Sequence, residues 1–479
     1  MDSYGNAGNN LTGQQIGAFP VACMYGTLSR TSRVSGGVAV WGDATVSSGD
    51  SLIVQGGGEL LFEPTDNQSG GYDTSNAELI VNGVLRMDGS LAKRPGLRSG
   101  DSTPNDGDWY GVVVKSGGEA YVDSVDVAHA KYAFRFESGS SGSIAYCDFE
   151  ENQVVDIMSL GMTSTNTLDI SNNTFTVSGV RAIEVRYDNS NVVIENNTIT
   201  NLATWAEGIW LHQGSGSTPH LEANTLSGFT LGEGVMLSTG NPTLVANDIS
   251  NSKYGISILD GVAEIGDAGD SDSDNLIHDN TDGIRCVGSG ADPIVRNSQI
   301  YDNTNGVFGR TNATPDLGNF TEDGLNSIYS NTYCVRNSSV GPIPAVGNWW
   351  GSCSLPTCYT GSVIVNDWKC SQPAGVASLE VVQVKPVARA TRVLGVWPNP
   401  VRSSAVIGFS NEDGYASVAV AIYDVSGRLV RQFDPVEFGP GDHHMHWDRR
   451  TRTGQTAGAG MYFASVVASG KVVGTVKLL

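Results

Sequence analysis

No stretch of this 479-residue chain approaches the run of about 18 apolar residues that a membrane-spanning helix needs. Helical spacing, with apolar residues at i, i+3 and i+4, is missing over any useful length. That excludes a helical bundle and an alternating α/β fold. Charged residues are only 16% of the total, and positive charge is the scarcer sign. The net charge is −22, which argues against a nucleic-acid partner, because phosphate binding needs lysine and arginine. The seven cysteines include no Cys-x-x-Cys and have no histidine beside their densest cluster, so no zinc motif is present. The first residues, MDSYGNAGNN, hold neither a basic segment nor an apolar core of a signal peptide. Two readings stand: the protein is not exported, or a signal has been removed ahead of Met1. The second is expected, for reasons that come from the far end of the chain.

What is present is glycine, 60 residues of it, with many Asn, Asp, Ser and Thr. One phrase recurs. It reads Ile170-Ser-Asn-Asn173-Thr-Phe175, then Ile194-Glu-Asn-Asn197-Thr-Ile199, then Leu221-Glu-Ala-Asn224-Thr-Leu226. The recurring asparagines at 173, 197, 224, 247, 275, 297 and 326 lie 22 to 29 residues apart. A period of that length is the mark of a solenoid. A second phrase, glycine followed by apolar, any, apolar, interleaves with the first. Its members include Gly208-Ile-Trp-Leu211, Gly234-Val-Met-Leu237, Gly255-Ile-Ser-Ile258 and Gly283-Ile-Arg-Cys286. Each period has room for two or three short strands and no helix. One such unit cannot bury its own apolar face, whereas stacked units can. The expected fold is all-β: a parallel β-helix, with coils about 4.8 Å apart, followed by a small β-sandwich. Asparagine suits the corner between strands, since it tolerates left-handed backbone and bonds its neighbours. Stacked from coil to coil, the amides can form a ladder.

The domain expectation is residues 1–37 as a tail or irregular first coil, 38–371 as the β-helix, 372–392 as a linker and 393–479 as the sandwich. The acidity is uneven. Residues 376–479 hold 11 Lys+Arg against 8 Asp+Glu, so residues 1–375 carry the whole negative excess. Cys353, Cys358 and Cys370 cluster at the end of the solenoid; a local disulfide there is expected, with the pairing open.

Residues 38–370 resemble the right-handed parallel β-helix repeat proteins, the pectate-lyase-like superfamily. The text that carries this is Thr45-Val-Ser-Ser-Gly-Asp-Ser-Leu-Ile-Val54, Gly107-Asp-Trp-Tyr-Gly-Val112, the Asn-Thr-Ile phrase and the closing Asn348-Trp-Trp-Gly351. Residues 393–479 resemble the FlgD-like, immunoglobulin-like sorting modules of bacterial type IX secretion. The matching text is Trp397-Pro-Asn-Pro400, Ile422-Tyr-Asp-Val-Ser-Gly427 and Gly460-Met-Tyr-Phe463. The first resemblance implies a surface that acts on or binds saccharides. The second implies export, with the protein secreted or held at the cell surface and the module read by secretion machinery.

Candidate chemistry lies where the repeat is broken. Glu207 and Glu233 precede the repeat glycine in adjacent coils, so they stand about 5 Å apart, near the spacing of a retaining glycosidase pair. The bland reading makes them solvated strand-entry positions. Outward positions bring Glu184, Arg186, Trp210, His212 and Arg285 onto one surface, with Arg135, Met236, Ser257 and Phe308 in the same column. An aromatic face beside Arg, Glu and His is a candidate saccharide platform. The alternating Asp270, Asp272 and Asp274 resemble the start of a calcium loop, and calcium is the one cofactor the sequence suggests. The leading function is non-catalytic: binding of a polysaccharide or cell-surface glycan, adhesion, or a structural role. The alternative is a polysaccharide lyase or glycoside hydrolase working along the same face. The polygalacturonate-hydrolysing members of the first family carry Gly-His-Gly, which is absent here.

Overall fold

The structure is a computed structural model. It describes residues 11–16, 19–90, 92–161, 165–187, 192–213, 218–267 and 274–373. Toward the C-terminus it describes 392–397, 401, 405–411, 416–425, 428–433, 435–438, 441–452, 455–458, 460–468 and 471–478. Two compact units divide the chain, Met1–Ala377 and Ser378–Leu479. Most of the expected linker, 374–391, lies outside the described residues.

The first unit is the parallel solenoid, with three short strands per coil. Gly111–Val114, Glu119–Asp123 and Asp126–Ala128 form one coil. Its strands pair in parallel with Tyr132–Glu137, Ser141–Ala145 and Asp148–Glu150 of the next. The same pairing repeats upward, so three faces run the length of the stack. Alternate side chains point inward: Phe134, Phe136, Ile157, Ile183, Val185, Ile209 and Leu211 are fully buried along one face. Rings also stack coil on coil, as Phe149 does on Phe175 at 4.8 Å. Cys147 and Cys286 are buried among these residues, as small apolar side chains should be. Burial pushes the Cys147 thiol up to about 12.

The stretch read as a tail or irregular coil contains strands. Leu11–Ile16 pairs antiparallel with Phe19–Leu28, which pairs in parallel with Gly37–Val46 across a register shift, so this coil departs from the repeat. A coil at Val155–Leu160 was also illegible, because Asp156 stands where the repeat carries glycine or alanine. At the other end, Cys353 pairs with Cys370 inside the expected cluster, while Cys358 pairs with Cys334, which the cluster did not include.

The corner asparagines need one correction. The left-handed residues are those just before the ladder: Asn172, Asn196, Ala223 and Ala246 all have φ between 53° and 58°. The ladder asparagines themselves turn inward. Asn173, Asn197, Asn224, Asn247 and Asn275 are at most 2% exposed, and the Nδ2–H of each of the first four donates to the next Oδ1 at 2.9–3.0 Å. Asn297 is not a rung. It takes the left-handed position, with φ 44°, and Ser298 fills the ladder site, its N–H donating to Asn326 Oδ1. The ladder then closes on Asn348. A second ladder at the next corner, Asn280–Asn303–Asn331, has the same geometry.

The second unit is a small antiparallel sandwich. Arg392–Trp397, Ala405–Asn411 and Gly441–Trp447 form one sheet. Ala416–Asp424 lies at the heart of the other, between Tyr462–Ala468 on one edge and Leu429–Gln432 with Val436–Phe438 on the other, and Lys471–Leu478 extends it. Ile407, Phe409, Val420, Ile422, Trp447 and Val466 share one core. Val436–Phe438 is a strand that alternation in the sequence did not reveal.

Candidate functional site

The first strand of each coil builds one long face. Its middle column runs Arg135, Met158, Glu184, Trp210, Met236, Ser257, Arg285, Phe308, Arg336, each in register with the next. Met158 and Arg336 were missed, because their coils replace the repeat glycine with Asp156 and Cys334. Eight steps of about 4.8 Å make the column about 38 Å long. Six of the twelve arginines in residues 1–375 lie on the strands of this face: 135, 181, 186, 285, 310 and 336.

Glu207 and Glu233 are register partners, as expected. They are not equivalent. Glu207 is 3% exposed and its Oε2 is bound by Arg181 Nε–H. Arg181 also donates through Nη1 to Glu184 Oε2 at 2.9 Å. Glu184 is fully buried and takes a second ion pair from Arg186. Burial nevertheless holds its carboxyl above the usual range, against the pull of both arginines. Arg181, which the sequence did not single out, therefore closes Glu184 and Glu207 into one ion-paired knot. Glu233 stands outside it: burial first, then the Glu207 charge, push its carboxyl up, and its Oε2 has no hydrogen-bond partner.

Trp210 belongs to the knot as well. The Arg181 and Arg186 guanidiniums sit 4.3 and 4.7 Å from its ring centroid, and its Nε1–H donates to Ser238 Oγ at 2.7 Å. Ser238 is displaced from the His212 column by a bulge, and Thr239 takes its place. His212 packs edge-on to Tyr187 at 4.9 Å. Trp210 is thus tied into the sheet rather than offered as an open platform.

Farther along, the arginines change character. Arg285 lies 4.2 Å from the Tyr254 ring. Arg336 lies 4.7 Å from Phe308, with Arg310 on the same ring at 5.6 Å. Among the described residues none of these three forms a salt bridge, and burial leaves Arg285 Nε without a hydrogen-bond partner.

Asp270 and Asp272 lie outside the described residues; Asp274, 7% exposed, takes a hydrogen bond from Gln299. Another acidic loop, residues 316–324, is held by Arg296 on Asp316 and Glu322. Among the described residues no three His, Cys, Asp or Glu side chains gather as a metal-binding group.

Residues 101–266 match the family described as right handed beta helix region, which fits the solenoid seen here. No curated protein matches the chain. Among solved structures, dimeric latent PorU from Porphyromonas gingivalis is 26% identical over 19% of this chain, with a TM-score of 0.17, and the match spans only 9% of that protein. The A-module of Azotobacter vinelandii mannuronan C-5 epimerase AlgE6 is 14% identical over 73% of this chain and 91% of its own, with a TM-score of 0.42. A mutant of the periplasmic alginate epimerase AlgG is 13% identical over 71% of this chain and 85% of its own, with a TM-score of 0.36.

Proposed function

We propose that this protein binds an extended acidic polysaccharide along the face that runs from Arg135 to Arg336, without turning it over. The observation that carries this is the run of arginines seated over aromatic rings with no direct salt bridge among the described residues: Arg285 on Tyr254, Arg310 and Arg336 on Phe308. The chain has 50 acidic and 28 basic residues, yet the carboxylates nearest these arginines, Asp282 and Glu233, act on them through charge and make no direct ion pair. A guanidinium already seated on a ring is pre-oriented to grip a carboxylate or sulfate with two parallel bonds. Two disulfides support an exported protein, and we assign the C-terminal sandwich the role of delivering or anchoring it at the cell surface.

Affinity electrophoresis through gels containing acidic or neutral polysaccharides tests the reading. Retardation by an acidic polymer is expected, falling with salt. Arg285→Ala should weaken it about tenfold. Equal retardation by neutral polymers would remove the acidic assignment.

One observation favours the enzyme alternative: Glu233 keeps a raised carboxyl beside Glu207, as a general acid requires. Release of oligosaccharides by the protein, abolished in Glu233→Gln, would establish it over the binding reading. The Arg181 knot speaks against it, because Glu207 and Glu184 are held away from any ligand.

A further inference from the structure

Trp210 was the natural choice for a stacking residue, yet the exposed tryptophan of this region is Trp205. It is 48% exposed. It stands in the bend two residues ahead of Glu207, with the fully buried Ala206 between them. One coil on, Gly232 packs directly against the Ala206 carbonyl, which brings the two corner loops together. That loop presents Leu231, 52% exposed, in the position matching Trp205. Leu202, 71% exposed, lies at the start of the Trp205 loop. Among the described residues no hydrogen bond, ring contact or cation on the ring occupies Trp205. The indole of Trp210, in contrast, is held through both its ring and its nitrogen.

A second observation points to what this rim receives. Directly beyond it on the next coil, Glu233 Oε2 is shielded from solvent and has no hydrogen-bond partner. A flat apolar surface bordered by the half-buried Glu233 carboxylate matches a sugar ring, which shows C–H bonds on its face and hydroxyls on its edge. A protein partner would need an apolar surface continuing beyond the rim, but the ground past it is the Arg181–Glu184–Glu207 ion-paired knot.

We infer that Trp205, walled by Leu231 and Leu202, forms a sugar subsite at the rim of the binding face, with Glu233 receiving a hydroxyl of the stacked ring. This rests on the polysaccharide-binding reading and adds a place where one sugar unit is held. The arginine column recognises charge along the polymer; the rim grips a single ring whether or not that ring carries charge. Trp205 therefore acts through stacking, and its contribution should persist at salt concentrations that weaken the arginine contacts.

The test compares Trp205→Ala, Trp205→Phe, Trp210→Ala and Arg285→Ala with the parent. Each is titrated with the acidic polysaccharide that retards the parent, at low and high salt. Trp205→Ala should bind about tenfold more weakly at both salt concentrations, and Trp205→Phe should recover most of the loss. Arg285→Ala should show its defect mainly at low salt. Because Trp205 is exposed, its variant should unfold with the parent, whereas Trp210→Ala should unfold more easily. Unchanged binding by Trp205→Ala, when the parent binds, overturns the subsite and leaves the wider reading standing. A parent that binds no polysaccharide overturns both. Self-association of the parent that disappears in Trp205→Ala also overturns the subsite, since a second copy would then cover the rim.

Discussion

Replacing Asn224 by alanine should destabilise the solenoid by about 4 kcal/mol. The side chain is fully buried and sits mid-ladder. Its Oδ1 accepts from Asn197 N–H at 3.1 Å and from Asn197 Nδ2 at 2.9 Å. Its Nδ2 donates to Ile194 O at 2.8 Å and to Asn247 Oδ1 at 3.0 Å. Alanine removes four hydrogen bonds from a dry interior, each worth about 1 kcal/mol; Asn197 Nδ2 keeps its bond to Ile170 O and Asn247 Oδ1 keeps the backbone N–H of residue 224, while Asn197 N–H and Ile194 O lose the amide. The coil has no means of recovering them, because the stack holds the backbone above and below. Thr198→Ala is the control. It lies in the same Asn-Asn-Thr phrase, but it is exposed and its side chain faces water, so the change should stay within about 0.5 kcal/mol. Denaturant melting of both variants checks this. Equal midpoints would mean that the ladder is decoration and that the apolar interior alone holds the stack.

Asp156→Asn should do the reverse, and only as the pH rises. Asp156 occupies the inward site that holds Ala182 and Gly208 in the next two coils. The site is small: a Cβ built on Gly208 meets a backbone oxygen at 2.5 Å and core side chains just beyond. Asp156 is 4% exposed, with Asn152 Nδ2–H donating to its Oδ1 at 2.7 Å. Burial pushes its carboxyl up to about 8, and the one donor from Asn152 does not bring it back. An unfolded aspartate ionises near pH 4. Below that pH both states carry the proton and the aspartate costs nothing. Above it the unfolded chain releases the proton while the folded chain keeps it, so stability falls until the pH reaches the folded value. Asparagine has no such dependence. Relative to the parent, the variant should therefore gain on the order of 5 kcal/mol between pH 4 and pH 8. Unfolding midpoints taken across that interval measure the gain. Parallel curves for the two proteins would show that the carboxylate is stabilised by something other than its proton.

Both expectations bear on function. The ladder and the interior keep the coils in register, and register is what aligns the arginine column. A lost rung beneath Trp210 and Met236 would loosen the same coils that carry Glu207, Glu233 and Trp205. Binding and stability should then fall together in Asn224→Ala but separate in Trp205→Ala and Arg285→Ala, whose side chains stand outside the interior.

How much was legible follows from what repeats. A residue stacked on its own kind one coil away meets nearly the same surroundings in every coil, so composition at that position is constrained over and over. That is why the 22–29 residue period, the inward apolar positions and the outward column from Arg135 to Phe308 could be read directly. The same repetition hid what departs from it. Asp156 and Cys334 replaced the expected glycine and concealed their coils. Asn297 mimicked a rung, since the left-handed corner and the ladder site accept the same residue and differ only by one position.

The amino-acid sequence by itself determined an all-β chain, a parallel solenoid with asparagine corners and a smaller sandwich after it, because backbone pairing between identical coils turns a linear period into a fold. It also placed Glu207 beside Glu233 and Trp210 on the face with Arg285. Only the tertiary structure decided which of these groups are available. Whether a carboxylate is open or locked depends on side chains from other coils, and no period encodes that. Arg181 takes Glu207 and Glu184 out of reach, two guanidiniums and Ser238 hold Trp210 down, and Cys334 reaches across 24 residues to Cys358. The same packing leaves Trp205 in the open, in a corner loop whose length varies from coil to coil and whose side chains the repeat does not constrain.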